Sequence, residues 1–271
     1  MNLVIQGPSL TETQAKQLAG SQRLEKIASQ AWRVRGANTV DAAYCEKHRI
    51  DHALIPEGLR FADLKLVAMD MDSTLITMET IDELGDLVGK KAEIAAITAR
   101  AMRGEIAYPE SLRQRVSLLA GLGEDGLLEV YEKRLKLTSG AEALIATCKR
   151  HDVKVLLVSG GFTFFVERLK ERLGLDYAIS NTLEASNGRL TGGLVGDIVD
   201  AEAKAKKFRS VVKELGAARR ETVAIGDGAN DLKMMADAGL SVAFHAKPVV
   251  RAQASCALNW SGLDGVVNLF E

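Results

Sequence analysis

The sequence predicts an α/β fold: a doubly wound parallel sheet that carries an inserted helical segment and a small N-terminal α/β unit. Short, mostly apolar runs recur between segments with helical periodicity, at residues 66–69, 153–158, 222–225 and 240–244. Such runs are typical of strands that are buried on both faces, as in parallel sheets. The first three runs each end in a polar or glycine-rich cluster. Ligands of such sheets bind beyond the carboxyl ends of the strands, so these clusters are candidate site residues.

Composition and charge exclude several classes of protein. The 271 residues are 47% hydrophobic and 26% charged, with a net charge of −1, so nothing indicates a nucleic-acid or membrane-surface partner. No apolar run approaches the ~18 residues of a membrane span, and the first residues lack the basic region of a signal peptide. The three cysteines are widely spaced and form no CxxC pair, which predicts reduced thiols in a cytoplasmic protein.

Residues 1–62 are predicted to form a separate small α/β domain. Apolar runs indicate strands at 3–6, 31–34 and 52–55, and helical patterns occupy 11–21 and 39–49. No polar cluster in this segment resembles a catalytic site. We therefore expect a structural or regulatory role for it.

Residues 79–137 are predicted to form a helical cap over the sheet. Apolar residues recur at helical spacing and glycines punctuate the segment, with no strand-like alternation. The core is then made from 63–78 and 138–271. Its second part alternates strands with helices at 141–151, 162–173, 201–215 and 231–238, and a hairpin is predicted around Ser186-Asn187-Gly188.

Two carboxylates, Asp70 and Asp72, directly follow the first core strand. Residues i and i+2 of an extended chain point the same way, so the pair can face one ligand with different tasks. Ser73 and Thr74 follow them, and Asp, Ser and Thr are also favoured helix N-caps. Capping of the next helix explains this cluster equally well when it is taken alone.

Ser159-Gly160-Gly161 follows the second core strand. A hydroxyl and exposed backbone N–H groups before a helix N-terminus suit an anion such as phosphate. Taken alone, however, a Gly-Gly after a strand is more often a tight turn.

The cluster from Gly226 to Asp231 follows the third core strand. Its two carboxylates, Asp227 and Asp231, and the Asn230 amide suit a hard cation such as Mg²⁺. A turn followed by an N-cap is the alternative. Lys204 lies in a run of lysines, which usually marks a solvated face.

Together these motifs resemble the haloacid dehalogenase superfamily of aspartate-nucleophile phosphatases. DMDST, SGG, a downstream lysine and GDGAND occur in that superfamily's order. Longer stretches are similar to its phosphoserine phosphatases, namely 79–83, 111–119, 158–162, 173–178, 189–192 and 223–234. The resemblance covers about 65–271 and implies a Rossmannoid core. Some relatives carry ACT-type amino-acid-binding domains in place of residues 1–62, which are short for one.

The resemblance implies roles for the carboxylates. Asp70 is implied to be the nucleophile that forms an aspartyl-phosphate, and Asp72 the general acid and then the general base. Mg²⁺ is implied to be held by the Asp70 carboxylate, the Asp72 backbone carbonyl and the Asp227 carboxylate, with Asp231 orienting these ligands.

The resemblance also implies substrate-binding residues. Lys204, Ser159, Gly160 and Asn230 are implied to contact the phosphate. In the cap, Glu79 is implied to pair with the substrate ammonium and Arg115 with its carboxylate, although most such helix charges are simply solvated. Met102 and Tyr108 are implied to close over the substrate. Met69 and Met71 stand where a bulkier aromatic is common, which changes packing rather than roles.

The expected activity is Mg²⁺-dependent hydrolysis of O-phospho-L-serine to L-serine and phosphate, the last step of L-serine biosynthesis. One alternative is hydrolysis of another small phosphomonoester, or phosphotransfer to an acceptor such as homoserine. An alternative of another class is an amino-acid-sensing regulatory protein with an inert core. The resemblance leaves a homodimer open, and Mn²⁺ or Co²⁺ could replace Mg²⁺.

Overall fold

The computed structural model describes residues 1–271 and contains two β-sheets. The N-terminal sheet has four strands in the order β2-β3-β1-β4, and every neighbouring pair is antiparallel. The order of elements, βαββαβ, is that of a split βαβ unit. The elements are β1 (Asn2–Gln6), α1 (Glu12–Ala19), β2 (Leu24–Ala28), β3 (Ala31–Arg35), α2 (Ala42–Lys47) and β4 (Asp51–Ile55).

The three strands and two helices predicted in this unit are confirmed, with shorter helices. Both helices begin where a side chain accepts a free backbone N–H: Thr11 caps α1 and Asp41 caps α2. The prediction missed β2. This strand lies at an open edge and is only half-buried, so its sequence, LEKIA, lacks the apolar run of a buried strand.

The larger sheet has seven strands in the order β11-β10-β9-β5-β6-β7-β8. All neighbours are parallel except β7 and β8, so the predicted doubly wound parallel sheet is confirmed. The elements are β5 (Leu66–Met69), α3 (Thr80–Leu87), α4 (Lys91–Met102), α5 (Tyr108–Ser117), α6 (Glu124–Glu129), α7 (Ala141–Arg150), β6 (Lys154–Phe162), α8 (Thr163–Leu173), β7 (Tyr177–Ser186), β8 (Arg189–Val195), α9 (Ala201–Glu214), β9 (Thr222–Gly226), α10 (Leu232–Asp237), β10 (Leu240–Phe244), α11 (Pro248–Arg251) and β11 (Cys256–Leu258).

Strand β5 lies at the centre of this sheet, between β6 and β9. Its alternate side chains enter two different cores: Val67 and Met69 pack on one face, whereas Leu66 and Ala68 pack on the other, against α9 and α10. Because the three strands are parallel and in register, their carboxyl ends meet at one edge. Met69 is paired with Leu157 of β6 and with Ile225 of β9 there.

Helices α3–α6 are inserted between β5 and α7, as the sequence predicted, and the β7–β8 hairpin packs against them. Gly121, which follows α5, donates its N–H to the carbonyl oxygen of Leu190 in β8 at 2.8 Å. The hairpin turn has positive φ at Asn187 (51°) and Gly188 (73°), as two-residue turns between right-twisted strands require. Domain boundaries at 62/63, 78/79 and 137/138 stay our proposal.

The N-terminal unit is joined to the end of the chain by buried polar groups. The Asp51 carboxylate accepts the backbone N–H groups of Asn259, Trp260 and Ser261 at 2.6, 3.2 and 2.8 Å. The Arg33 guanidinium donates to the carbonyl oxygens of Asn268 and Phe270. Residues 259–270 are therefore held in place by the first 55 residues.

None of the helices in this structure combines the length and the apolar character needed to cross a membrane.

We expect Asp51→Ala to destabilise the protein by about 2–4 kcal/mol, because it leaves three backbone donors without their acceptor. The measurement is the free energy of unfolding from urea denaturation. Glu57→Ala is the matched control, because Glu57 is an exposed carboxylate just after β4. An unchanged free energy in Asp51→Ala would show that water replaces the carboxylate at no cost.

Candidate active site

Asp70 and Asp72 lie where β5 ends at the centre of the sheet. The chain leaves the strand in one wide turn, Met71–Leu75, in which Ser73 has a φ of +56°. The buried Asp70 carboxylate accepts the N–H of Met71 at 2.7 Å and thereby starts this turn. Its side chain faces the edge at which the carboxyl ends of β5, β6 and β9 meet.

Lys204, in the first turn of α9, is buried beside Asp70. Its Nζ lies 2.9 Å from Oδ1 of Asp70 and 2.8 Å from Oδ1 of Asp231. Burial alone would lower the pKa of Lys204, but these two carboxylates outweigh it and raise the pKa above its ordinary value. Lys204 is therefore a fixed cation inside the site, whereas the lysine run in the sequence suggested a solvated face.

Three carboxylates surround this cation. Oxygen atoms of Asp70, Asp227 and Asp231 lie within 4.8 Å of one another. Burial, and then repulsion from Asp231, raises the pKa of Asp70 well above its usual range and the pKa of Asp227 to about 7. One ammonium does not balance three carboxylates. Grouped carboxylate oxygens suit a hard divalent cation, so this cluster fits a metal site by its chemistry.

Asp231 has a second contact that fixes it within the cluster. Its Oδ2 accepts the N–H of Gly228 at 3.1 Å, while its Oδ1 accepts from Lys204. The side chain is fully buried in the short turn Ala229–Asp231. Asp231 thus ties the loop after β9 to α9, and its role in orienting metal ligands stays a prediction.

The Asp72 carboxylate lies outside the acidic cluster and contacts the first residue of α3. It accepts the Thr80 N–H at 3.0 Å and the Thr80 hydroxyl at 3.3 Å. The capping alternative is therefore partly right, because Asp72 does receive the first N–H of the next helix. Burial, and then the charge of Glu79, raises the pKa of Asp72 to about 8. Such a carboxyl carries a proton at neutral pH and can act as a general acid.

Glu79 and Arg115 reach the same space from the helical segment. The Ser73 hydroxyl donates to Oε1 of Glu79 at 2.7 Å, and Nε of Arg115 donates to the Ser111 carbonyl at 3.3 Å. The space is a cavity of about 530 Å³. Predicted site residues among those lining it are Asp70, Asp72, Glu79, Met102, Tyr108, Arg115, Gly160, Asp227 and Asn230.

The Ser159-Gly160-Gly161 segment forms one wall of the cavity. A Cβ on Gly160 would lie 2.4 Å from the Tyr108 hydroxyl oxygen, and one on Gly161 would lie 2.7 Å from Oδ2 of Asp72, so a side chain at either position would displace these groups. Ser159 is fully buried behind this wall, and its hydroxyl accepts the Gly161 N–H at 2.8 Å. The structure thus places Gly160 at the cavity surface and Ser159 beneath it.

Two residues of the site were missed in the sequence, Thr80 and Asn181. Asn181 is buried in β7, donates to the Gly160 carbonyl at 2.7 Å and accepts the Val199 N–H at 2.8 Å, so it fixes the glycine wall. Thr80 lies inside the stretch 79–83, which could have drawn attention to it. Asn181 gave no sequence signal, because nothing around it in β7 marks it as a site residue.

Comparisons with known proteins agree with this geometry. A family model described as haloacid dehalogenase-like hydrolase matches residues 67–236. A curated relative from a Polaromonas species, named phosphoserine phosphatase, is 55% identical over 216 residues, which cover 78% of this chain and 92% of the relative.

Solved structures match as well. The unliganded structure of a probable phosphoserine phosphatase from Vibrio cholerae has a TM-score of 0.86 at 38% identity and covers 99% of this chain and 85% of that one. A substrate-bound phosphoserine phosphatase complex has a TM-score of 0.72 at 39% identity, and the match covers 77% of this chain and 99% of that one. The Vibrio structure therefore also matches the N-terminal unit, whereas the complex covers only about three quarters of this chain.

We expect a divalent cation to stabilise the protein more at pH 8 than at about pH 5.5. The raised pKa values of about 8 for Asp72 and about 7 for Asp227 compare with 3.8 for a free carboxyl. The metal-free folded state therefore binds these protons more tightly than the unfolded chain, and its stability falls as the pH rises from about 4 to about 8. A cation competes with protons for Asp70 and Asp227, so its contribution grows over the same range.

The measurement is Tm in EDTA and in MgCl₂ at both pH values. At a hundredfold excess over Kd the cation should contribute about 2–3 kcal/mol. Asp227→Asn serves as the control and should lose most of this increment. An increment that is equal at both pH values would show that the cation does not bind at these carboxylates.

Proposed function

The chain belongs to the haloacid dehalogenase-like hydrolase family, and we propose that it hydrolyses O-phospho-L-serine to L-serine and phosphate. The observation that carries this proposal is that one cavity holds both the acidic cluster around Asp70 and the charged pair Glu79 and Arg115. The first set suits phosphoryl transfer, and the second suits an amino acid zwitterion.

Recognition of the serine part falls to residues of the inserted helices. The Glu79 carboxylate would bind the substrate ammonium, and the Arg115 guanidinium would bind its carboxylate in bidentate geometry. Ser73 supports Glu79 through its hydroxyl. Met102, 65% exposed, and Tyr108 border the same cavity and would cover the bound substrate.

In the first half-reaction a carboxylate oxygen of Asp70 attacks phosphorus. A bond forms between Asp70 and phosphorus, the bond from phosphorus to the seryl oxygen breaks, and Asp72 gives its proton to that oxygen. L-serine leaves, and Asp70 carries the phosphoryl group. The raised pKa of Asp72, about 8, keeps the proton available at neutral pH.

In the second half-reaction water releases the phosphate. The Asp72 carboxylate takes a proton from water, whose oxygen bonds to phosphorus as the bond to Asp70 breaks. Asp70 returns to a carboxylate and Asp72 to an acid. The sum is one phosphomonoester and one water converted into one alcohol and one phosphate.

The negative charges of the Asp70 carboxylate and of the substrate phosphate repel each other, and residues around Asp70 offset this repulsion. Lys204 holds the nucleophile by an ion pair and offers positive charge to the phosphoryl oxygens. The Gly160 N–H and Asn230 would bind phosphate oxygens at the cavity wall, and Ser159 would support the wall and reach the phosphate if it rotates. Asn181 fixes the Gly160 carbonyl by a hydrogen bond at 2.7 Å.

The metal proposed for the acidic cluster is Mg²⁺. The Asp70 and Asp227 carboxylates and the Asp72 backbone carbonyl would hold it, with Asp231 orienting them. When bound, Mg²⁺ supplies charge that offsets the repulsion between the carboxylate and the phosphate dianion. The proposed reaction ends L-serine biosynthesis, in the cytoplasm. Amino-acid sensing by residues 1–62 and a homodimer stay predictions.

We expect phosphate release from O-phospho-L-serine in MgCl₂ and none in EDTA. Because Glu79 is the proposed partner of the ammonium, Glu79→Gln should raise KM for phosphoserine about 10- to 100-fold and change p-nitrophenyl phosphate hydrolysis far less. Initial rates on both substrates, with O-phospho-L-threonine beside them, measure this preference.

Glu110→Gln is the matched control, because Glu110 is an exposed carboxylate on α5. It should leave both substrates unaffected. Release from p-nitrophenyl phosphate with little from phosphoserine would support another phosphomonoester as the substrate. No metal-dependent release from any of them would contradict the enzymatic proposal and favour a regulatory protein.

A further inference from the structure

The Asp72 carboxyl is not held by its own backbone. Asp72 has φ −64° and ψ 135°, and the next residue, Ser73, has φ +56°, so this part of the turn is irregular. The hydrogen bonds to its carboxylate come from one residue, Thr80. Eight positions of sequence separate the two residues, and only the fold brings them together.

Thr80 is well placed to act as a rigid donor. It is the first residue of α3 and only 1% exposed, and its N–H is one of the helix-start donors that lack a partner within the helix. Its β-branched side chain has few rotamers, which restricts the positions of the hydroxyl. Thr80 therefore presents two donors at fixed positions to the two oxygens of Asp72.

The two contacts are not equivalent. Oδ1 receives the shorter contact, from a backbone N–H that can only donate, so Oδ2 is the oxygen better suited to carry a proton. Oδ2 is the oxygen that lies against Gly161, where an added Cβ would approach to 2.7 Å. Oδ2 thus lies on the side of the cavity formed by the Ser159-Gly160-Gly161 wall.

We propose that Thr80 is a positioning residue for phosphoryl transfer: its N–H and hydroxyl fix the Asp72 carboxyl so that its proton faces the departing seryl oxygen. This inference rests on the proposed function, in which Asp72 protonates that oxygen. Thr80 is assigned no contact with phosphorus in this proposal and acts through Asp72.

Thr80 directly follows Glu79, the proposed ligand of the substrate ammonium, in the sequence. The group that recognises the amino acid and the group that orients the acid are therefore consecutive residues at the start of one helix. A displacement of α3 changes both together, so substrate recognition and proton delivery share one support.

The test compares two leaving groups in the same protein sample. The seryl oxygen leaves as an alkoxide that needs a proton, whereas p-nitrophenolate is a stable anion that needs none. The parameter is kcat/KM, because it reports the steps up to departure of the leaving group and not the later attack by water. The ratio of the two kcat/KM values is also independent of the fraction of protein that is folded.

Thr80→Val should lower kcat/KM for phosphoserine about 10- to 100-fold and that for p-nitrophenyl phosphate less than about threefold. Thr80→Ser restores the hydroxyl and should recover phosphoserine hydrolysis to within about threefold of the unmodified protein. Thr147→Val is the matched control, because the Thr147 hydroxyl bonds only within α7, away from the cavity. It should leave the ratio unchanged.

An equal loss on both substrates, or no loss on phosphoserine, would overturn the positioning role. Failure of the proposed function is a separate result, because the unmodified protein would then release no phosphate from phosphoserine. Glycerol 3-phosphate then replaces phosphoserine in the comparison, since its leaving oxygen is also an alkoxide. The ratio of kcat/KM for glycerol 3-phosphate to kcat/KM for p-nitrophenyl phosphate then supports or overturns the role of Thr80.

Discussion

The buried ion pairs of Lys204 with Asp70 and Asp231 are the interaction on which the rest of the site depends. A lone carboxylate in this position would be costly to ionise, and a lone lysine equally so. The ion pair with Lys204 opposes the rise in the pKa of Asp70 that burial and Asp231 cause, at the centre of a parallel sheet. Asp227 adds a third carboxyl beside these ion pairs, and the grouped oxygen atoms of the three aspartates suit a divalent cation.

The sheet supplies the geometry that these charges require. The parallel strands β5, β6 and β9 end at one edge of the sheet, so residues that are far apart in sequence meet at that edge. The inserted helices then bring Glu79 and Arg115 to the same cavity from the opposite side. The residues proposed for phosphoryl transfer and those proposed for substrate recognition thus come from different parts of the chain. Phosphoryl transfer depends on a rigid sheet edge, and substrate recognition depends on helices whose sequence can vary independently of the sheet.

Much of the fold and of the candidate site was predictable from the sequence, because polar motifs follow the predicted strands. Asp70, Asp72 and Asp227 follow apolar runs that are typical of buried strands, and the alternation of helices and strands predicted a parallel sheet. Lys204 was not predictable from pattern alone, because its neighbours Lys206 and Lys207 point to solvent-facing helix positions and only the packing of α9 buries it. Thr80 and Asn181 act through partners that only the fold supplies, and β2 lacks an apolar run because it is an exposed edge. Residue type and spacing carry no information on such tertiary contacts.

The pairing of Asp51 and Arg33 with residues 259–270 has a consequence for how the chain folds. These contacts span more than 200 positions, with Asp51 and Asn259 separated by 208. Closing so long a loop has an entropic cost that only a formed core can offset, so the N-terminal unit should dock late. During synthesis it leaves the ribosome before residues 259–270, the segment to which it binds, have been made. Until then, the first 55 residues must stay soluble on their own.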